Sequence, residues 1–382
     1  IGNVGEGGTY LRKGLTHFAD LKINQVTARV QSVQAATKTV ALDNGQSLSF
    51  DTLLVATGSH PIHPPIPGID SEGVHTCWTM EDARAIQKLA TKGARVLQLG
   101  AGFIGCIIME ALAARGVKLS VVEMGDRMVP RMMGPTAGGM IRDWCESKGV
   151  SVFTGTKVES ITPGKPLRVK LSNGTTVEAD LVISAAGVRP AIGYLKDSGI
   201  TCLLGVLTDE HLQTNVPGIF AAGDCAEAFD KVSGKMIVSA IQPNAAEQAR
   251  IAGANMVSHA RGQAARAELK GVTQINVLDT LGLISTSFGD WQGRPGGEHV
   301  ELTDVPNGRH LSLQFQGDVL VGCNSVGWTD HVGVMRGLVE GQVSLGSWKE
   351  VLMKDPTQLM EAYLGAAQGQ QEWSGANDER RR

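Results

Sequence analysis

Residues 94–123 read ARVLQLGAGFIGCIIMEALAARGVKLSVVE, and no other stretch restricts the fold so tightly. An apolar run ends in a Gly-x-Gly-x-x-Gly turn, after which Phe103, Ile107, Ile108, Ala111 and Leu112 recur at helical spacing. Arg115-Gly116 supplies a basic last turn with a glycine stop, and a second apolar run ends at Glu123. Strand, glycine turn, helix and strand within about 30 residues is the repeating unit of a parallel sheet. Gly100 makes the tight turn, Gly102 lets backbone approach a pyrophosphate, and Gly105 lets helix and strand pack closely. The free N–H groups at the helix start, around Phe103 and Ile104, then face the phosphates.

Glu123 stands about twenty residues beyond the turn, where a carboxylate accepts hydrogen bonds from both ribose hydroxyls and repels a 2′-phosphate. It favours NADH over NADPH. Arg127 follows closely enough to accommodate that phosphate, so NADPH stays open as the second choice.

A chain of 382 residues exceeds what one hydrophobic core organises, so two or three domains are expected. With 42% hydrophobic and 19% charged residues the chain reads as a globular enzyme, and 48 glycines imply many tight turns. A net charge of −3 provides no field to draw in nucleic acid or an anionic membrane surface. The six cysteines stand singly, with no C-x-x-C, which argues against a zinc site or a redox dithiol and suits a reducing cytoplasm. His60 and His63, in SHPIHPP, lack a carboxylate or Cys at ligand spacing, so no metal is expected. No apolar run reaches the roughly 18 residues of a membrane span.

Along the chain, IGNVGEGG reads as a loop, because no apolar strand precedes its glycines. From Leu21, residues 21–34 and 38–45 alternate like antiparallel strands, with Asp43-Asn44-Gly45 as a hairpin turn. Residues 52–56 form a buried strand. Thr79 caps a helix over 79–90, and 244–260 form an amphipathic helix. From about Val272 strands dominate, with a pair around Gln316-Gly317-Asp318, then two helices and a frayed tail, NDERRR.

Two further strand ends complete the pattern: Ala56-Thr57-Gly58 and Gly223-Asp224, the latter within GIFAAGDCAE. Each alone is ordinary; in this order around a dinucleotide unit they are specific. With TLLVATG, GAGFIG, AAGVRP, LQTNVPGIFAAGDCAE and PNAAEQAR, the chain resembles the FAD-dependent pyridine nucleotide-disulfide oxidoreductases over residues 10 to 330. It looks most like the branch holding NADH oxidases, rubredoxin reductases and the large subunit of NAD(P)H nitrite reductase.

The resemblance implies an α/β fold of two nested three-layer (ββα) Rossmann-like nucleotide-binding domains and a small α/β C-terminal domain. The FAD-binding domain would take residues 1–92 and 208–270, the NAD-binding domain 93–207, and a dimerisation-like domain 271–382. Ala56, Thr57 and Gly58 would line the ADP half of FAD, Val30 would lie against adenine, and Gly223 with Asp224 would bind the ribityl side. Gly187 would sit under the nicotinamide nucleotide. Glu247 and Gln248 would face the isoalloxazine, with Glu247 the one candidate catalytic residue and a plain surface or capping acid the alternative. Hydride would pass from NADH to flavin, and electrons onward to oxygen, a small disulfide, a rubredoxin- or ferredoxin-like protein or a nitrite-reducing module. A homodimer is also implied.

Two departures from the family pattern stand out. Its N-terminal βαβ unit, with its own glycine turn, would lie upstream of Ile1, together with the redox-active Cys of some branches. Ile107 stands where many relatives carry a Glu that orients the nicotinamide carboxamide, and Glu110 is one helical turn further on. The rival reading is an NADH-binding redox sensor or scaffold with little turnover. Cys225 beside Asp224 reads as a small buried residue rather than a redox thiol, and Trp291 and Trp328 as packing rather than a flavin shield or a docking site.

Overall fold

Arg95–Leu99, apolar enough to be covered on both faces, is the middle strand of a five-stranded parallel sheet. The order is Val74–His75, Leu181–Ser184, Arg95–Leu99, Lys118–Val122, Ser151–Phe153, all parallel. The order reverses between Arg95–Leu99 and Leu181–Ser184, and ligands of open α/β sheets bind at such a switch point, beyond the carboxyl ends of the strands. One sheet face packs Leu97, Leu99, Val122 and Val182 against an antiparallel meander, Val158–Thr162, Leu167–Leu171 and Thr176–Ala179. The helix Phe103–Ala113 buries Cys106, Met109 and Leu112.

The computed structural model of the chain describes residues 5–12, 14 and 16–369. Two compact units emerge. The parallel sheet belongs to a unit of residues 63–187 and 273 onward, and the other unit takes the residues up to 62 together with 188–272.

In the second unit the organising element is a parallel pair, Leu53–Val55 with Ile219–Ala221. Alternation sorts its side chains. Val55, Ile219 and Ala221 share a core with Val33, Val40 and Leu42 of the antiparallel sheet Val30–Gln34, Thr39–Leu42, Ser47–Ser49. Leu54, Phe220 and Ala222 pack instead with Ile251 and Ala252 of the 19-residue helix Gln242–Ala260. Antiparallel sheet, parallel pair and helix make the same three layers as in the first unit, as the resemblance implies.

The C-terminal strands form a five-stranded antiparallel sheet ordered Ile275–Thr280, Leu283–Gly289, Val319–Val326, Arg309–Gln316, Glu298–Asp304. It belongs to the same compact unit as the glycine turn.

Three local expectations are corrected. Glu6–Thr9 forms a single helical turn rather than a loop. Residues 21–29 form no strand, because the ladder from Thr39–Leu42 reaches back only to Val30 and then ends in the pairing of Arg29 with Asp43, whose N–H donates to the Arg29 carbonyl at 2.9 Å and whose Oδ1 accepts the Arg29 N–H at 3.0 Å. The final helical region is three helices, not two, since Asp355-Pro356 separates Trp348–Lys354 from Leu359–Gly369; proline has no N–H to donate and disfavours helix in the residue before it. The NDERRR tail lies outside the described residues.

Candidate functional site

The glycine turn is held by its own strand and by the one after it. Gly100 adopts φ +94, and a Cβ there would stand 2.5 Å from the Ala185 carbonyl oxygen, so the turn lies against the chain leaving Leu181–Ser184 at the switch point. Gly187, at φ +102, is in that same segment. A Cβ on Gly105 would stand 2.5 Å from the Gly100 oxygen and 2.7 Å from Gln98 Nε2, whereas one on Gly102 would meet nothing within 4 Å. Gly105 therefore serves close packing, and Gly102 leaves open space beside the helix start. That start carries no side-chain cap, so its first N–H groups are available to an anion.

Glu123 does more than stand at the expected spacing. Its Oε2 accepts the Ala101 N–H at 2.8 Å and its Oε1 accepts the Gly125 N–H at 2.8 Å, which fixes the carboxylate beside the turn. Each oxygen keeps a second lone pair for a ribose hydroxyl. These two acceptors fit a dinucleotide without a 2′-phosphate. Arg127 is committed elsewhere: Nε donates to the Met133 carbonyl at 2.8 Å, Nη1 to Asp126 at 2.7 Å and Nη2 to the Pro130 carbonyl at 3.4 Å. To reach a 2′-phosphate Arg127 would have to exchange some of these bonds.

In the other unit, Ala56-Thr57-Gly58 and Ala222-Gly223-Asp224 leave the carboxyl ends of the two paired parallel strands side by side. Ala222 N–H donates to the Val55 carbonyl at 3.0 Å, carrying the pairing one residue past the strands. The strand is Leu53–Val55, with only Val55 buried, and Ala56 and Thr57 beyond it are exposed, which fits a surface shaped to take a flat ligand. The Thr57 hydroxyl is turned inward, donating to the Ala191 carbonyl at 2.8 Å with Tyr194 Oη at 3.2 Å, so the main chain of Thr57 and Gly58 is what this turn offers. Burial pushes the Tyr194 phenol up, opposed by that contact with Thr57.

Asp224 is half-buried, and the Ser59 hydroxyl donates to its Oδ2 at 2.8 Å. Gln248 is buried, and its Oε1 accepts the Gly223 N–H at 2.7 Å. Gln248 thus acts on the Gly-Asp turn, while its neighbour Glu247 is exposed. Val30 packs, partly buried, against the core around Val33 and Val55. The Cys225 thiol donates to the Val55 and Ala222 carbonyls, each at 3.3 Å, which makes it a staple between the two strand ends. The set fits the part of FAD that the family pattern assigns to it: two adjoining strand ends, an oriented carboxylate and accessible main chain.

A model of the pyridine nucleotide-disulphide oxidoreductases matches residues 11–253. The chain belongs to that family. Members pair FAD with a nicotinamide nucleotide, and this chain is accordingly a flavin-dependent oxidoreductase. It is similar to the NADH-dependent phenylglyoxylate dehydrogenase subunit epsilon of Aromatoleum evansii, 31% identical over 86% of this chain and 77% of that one. It is 30% identical to the assimilatory nitrate reductase electron transfer subunit of Bacillus subtilis over 82% of its own length, but spans only 38% of that protein. Among solved structures, an NAD-dependent persulfide reductase from A. fulgidus superposes with a TM-score of 0.79 at 25% identity, covering 88% of this chain and 66% of the other.

For this family member, sequence reasoning missed Ser59, Tyr194 and Gln98. The last left a trace: a glutamine inside the apolar run VLQLG, fully buried, with Nε2 donating to the Gly100 carbonyl at 2.9 Å. Ser59 and Tyr194 left none. Ile107 and Glu110 are both exposed on the Phe103–Ala113 helix. Trp328 lies with the Arg309 guanidinium 5.5 Å from its ring, and Trp291 is half-buried. The described residues contain no group of three or more His, Cys, Asp or Glu able to hold a metal. No described helix is long and apolar enough to cross a membrane.

Proposed function

We propose that this chain takes electrons from NADH and passes them to a small electron-carrier protein or an electron-accepting module. One observation carries the reading: the Glu123 carboxylate, held between the Ala101 and Gly125 amides, stands beside the glycine turn with lone pairs left for a ribose diol. When bound, FAD accepts hydride from the nicotinamide and releases electrons to the next carrier. Gly100, Gly102, Phe103, Ile104 and Gly105 supply the pyrophosphate cradle, and Gly187 lies beside it in sequence position for the nicotinamide half. Ala56, Thr57 and Gly58 line one end of the flavin nucleotide and Gly223 with Asp224 the other, with Val30 toward adenine. Glu247 and Gln248 stand on the helix next to the Gly-Asp turn. On this reading the unit holding 188–272 is the FAD domain, and the one holding the parallel sheet carries the NAD domain with the C-terminal domain attached.

A protein acceptor is favoured by the relatives named as subunits of larger redox enzymes. The six cysteines of the chain are free. Six free thiols also favour a cytoplasmic setting, and the family pattern favours a homodimer through the C-terminal domain.

Anaerobic titration of the flavin-loaded protein with NADH tests the reading: the absorbance near 450 nm is expected to bleach, and persistence of the yellow colour overturns it. A second reading, a redox sensor or scaffold with little turnover, is favoured by Ile107, an exposed aliphatic side chain where many relatives place a carboxylate. Rapid reduction of a dye with no NADH-dependent change in oligomeric state excludes it.

A further inference from the structure

We propose that Asn324, on the C-terminal strand Val319–Val326, is a positioning residue for the glycine turn. The proposal rests on the reading of that turn as the NADH site. After Glu123 the chain loops back toward the turn, and at Val129 it adopts φ +50. A β-branched residue avoids that region, and such strain persists only where the surroundings over-determine it. Here it directs the Val129 N–H onto the Ala101 carbonyl at 2.9 Å. Since the Ala101 N–H is held by Glu123 at 2.8 Å, the peptides on both sides of the residue between the first two glycines are gripped by a single loop.

The loop is kept in that shape from its far end. Met132 and Met133 N–H groups both donate to the Val129 carbonyl at 3.0 Å, and Arg127 Nε donates to the Met133 carbonyl at 2.8 Å. Asn324 then takes the flanking groups. Its Nδ2 donates to the Met132 carbonyl at 2.9 Å, and its Oδ1 accepts the Gly134 N–H at 2.8 Å. Asn324 is 2% exposed. Removing its amide leaves a buried carbonyl and a partly buried N–H without these partners, so the loop relaxes to find water and the grip on Ala101 loosens. The cradle then loses its preset direction, which weakens nucleotide binding. No group that meets the nicotinamide is touched, so turnover of bound nucleotide is preserved.

The test compares wild type, Asn324→Leu, Asn324→Asp and Trp144→Phe as flavin-loaded protein. It reads the NADH dissociation constant by nucleotide fluorescence, KM and kcat with a dye acceptor, and thermal stability. Asn324→Asp keeps the shape and the Gly134 bond but sets a carboxylate against the Met132 carbonyl, so it probes the loop should the leucine variant fail to fold. Trp144 is the control: its Nε1 donates to the Leu281 carbonyl at 3.1 Å, tying the helix Pro135–Ser147 to the turn between two strands of the same sheet through a bond that involves neither Val129 nor Ala101. Both Asn324 variants are expected to raise Kd and KM about tenfold, equivalent to about 1.4 kcal/mol, with kcat within about twofold. Trp144→Phe is expected to lower Tm and leave Kd unchanged. An unaltered Kd in a folded Asn324 variant, or an equal shift in Trp144→Phe, overturns the proposal. Absence of saturable NADH binding to wild type overturns the reading of the turn itself.

Discussion

Ser59 donates its hydroxyl hydrogen to the Asp224 carboxylate at 2.8 Å across 165 residues of chain, joining the segment after one parallel strand to the turn after its neighbour. The bond orients the carboxylate proposed to meet the ribityl side of FAD. Asp224→Ala is expected to reduce bound flavin at least tenfold after gel filtration, read from absorbance near 450 nm. Ser59→Ala removes only an orienting bond to a charged group, worth about 1.5–3 kcal/mol at most, and is expected to retain more flavin than Asp224→Ala. Equal retention by wild type and Asp224→Ala would remove Asp224 from the site.

Two glycines of the turn separate stability from binding. A methyl at Gly105 collides with the Gly100 carbonyl and with Gln98, so Gly105→Ala is expected to cost about 1–3 kcal/mol and lower Tm. A methyl at Gly102 meets open space, so Gly102→Ala should keep Tm and weaken NADH binding by crowding the pyrophosphate. Thermal melts and NADH titration on both variants check the contrast; the reverse pattern would mean the two roles are exchanged.

Ile107 is 51% exposed, so replacing it disturbs no core packing. Ile107→Glu restores the carboxylate that many relatives place there and is expected to lower KM for NADH by about threefold, the size of one hydrogen bond. An unchanged KM would show that the carboxamide is held by other groups.

Nucleotide preference is not expected to depend on Arg127. With its guanidinium on the Met133 and Pro130 carbonyls and on Asp126, Arg127→Ala should weaken NADH and NADPH alike and leave their ratio within about twofold. Glu123→Ala should shift that ratio toward NADPH by removing the repulsion of a 2′-phosphate. The two variants are compared by kcat/KM for each nucleotide.

His310 is 1% exposed, with Nδ1 2.8 Å from the Thr303 hydroxyl. Burial lowers its pKa, opposed by the charge of Glu301. Its folded pKa thus lies below the unfolded value of about 6.5, and between the two the unfolded chain binds more protons. The contribution of neutral His310 to stability is fully present above about pH 6.5 and is lost as pH falls toward the folded pKa. Tm is therefore expected to drop between pH 7.5 and 5.5, and to drop less in His310→Asn; at about 2–4 °C per kcal/mol the difference is measurable by calorimetry. Parallel pH profiles would assign the acid sensitivity to other groups.

How much could be read in advance followed the range of the interactions. The Phe103–Ala113 helix, the glycine turn and Glu123 were legible because spacing within about 30 residues encodes them. The strand expected over 21–29 was not, because alternation marks a strand only where a partner supplies the ladder, and the partner's length is set elsewhere in the chain. Gln248 was noticed beside Glu247, yet its burial and its bond to the Gly223 amide follow from where the Gln242–Ala260 helix packs.

The amino-acid sequence by itself determined the family and the two strand-end motifs and put Glu123 at the end of the strand after the glycine turn, since each depends on residue types at short, regular separations. Only the tertiary structure decided that Arg127 is engaged, that Ser59 serves Asp224, and that Asn324 holds the loop gripping Ala101. Those relationships join groups up to 192 residues apart and, at Val129, run against local conformational preference. Local propensity carries no information about a partner that only the packed fold brings within 3 Å.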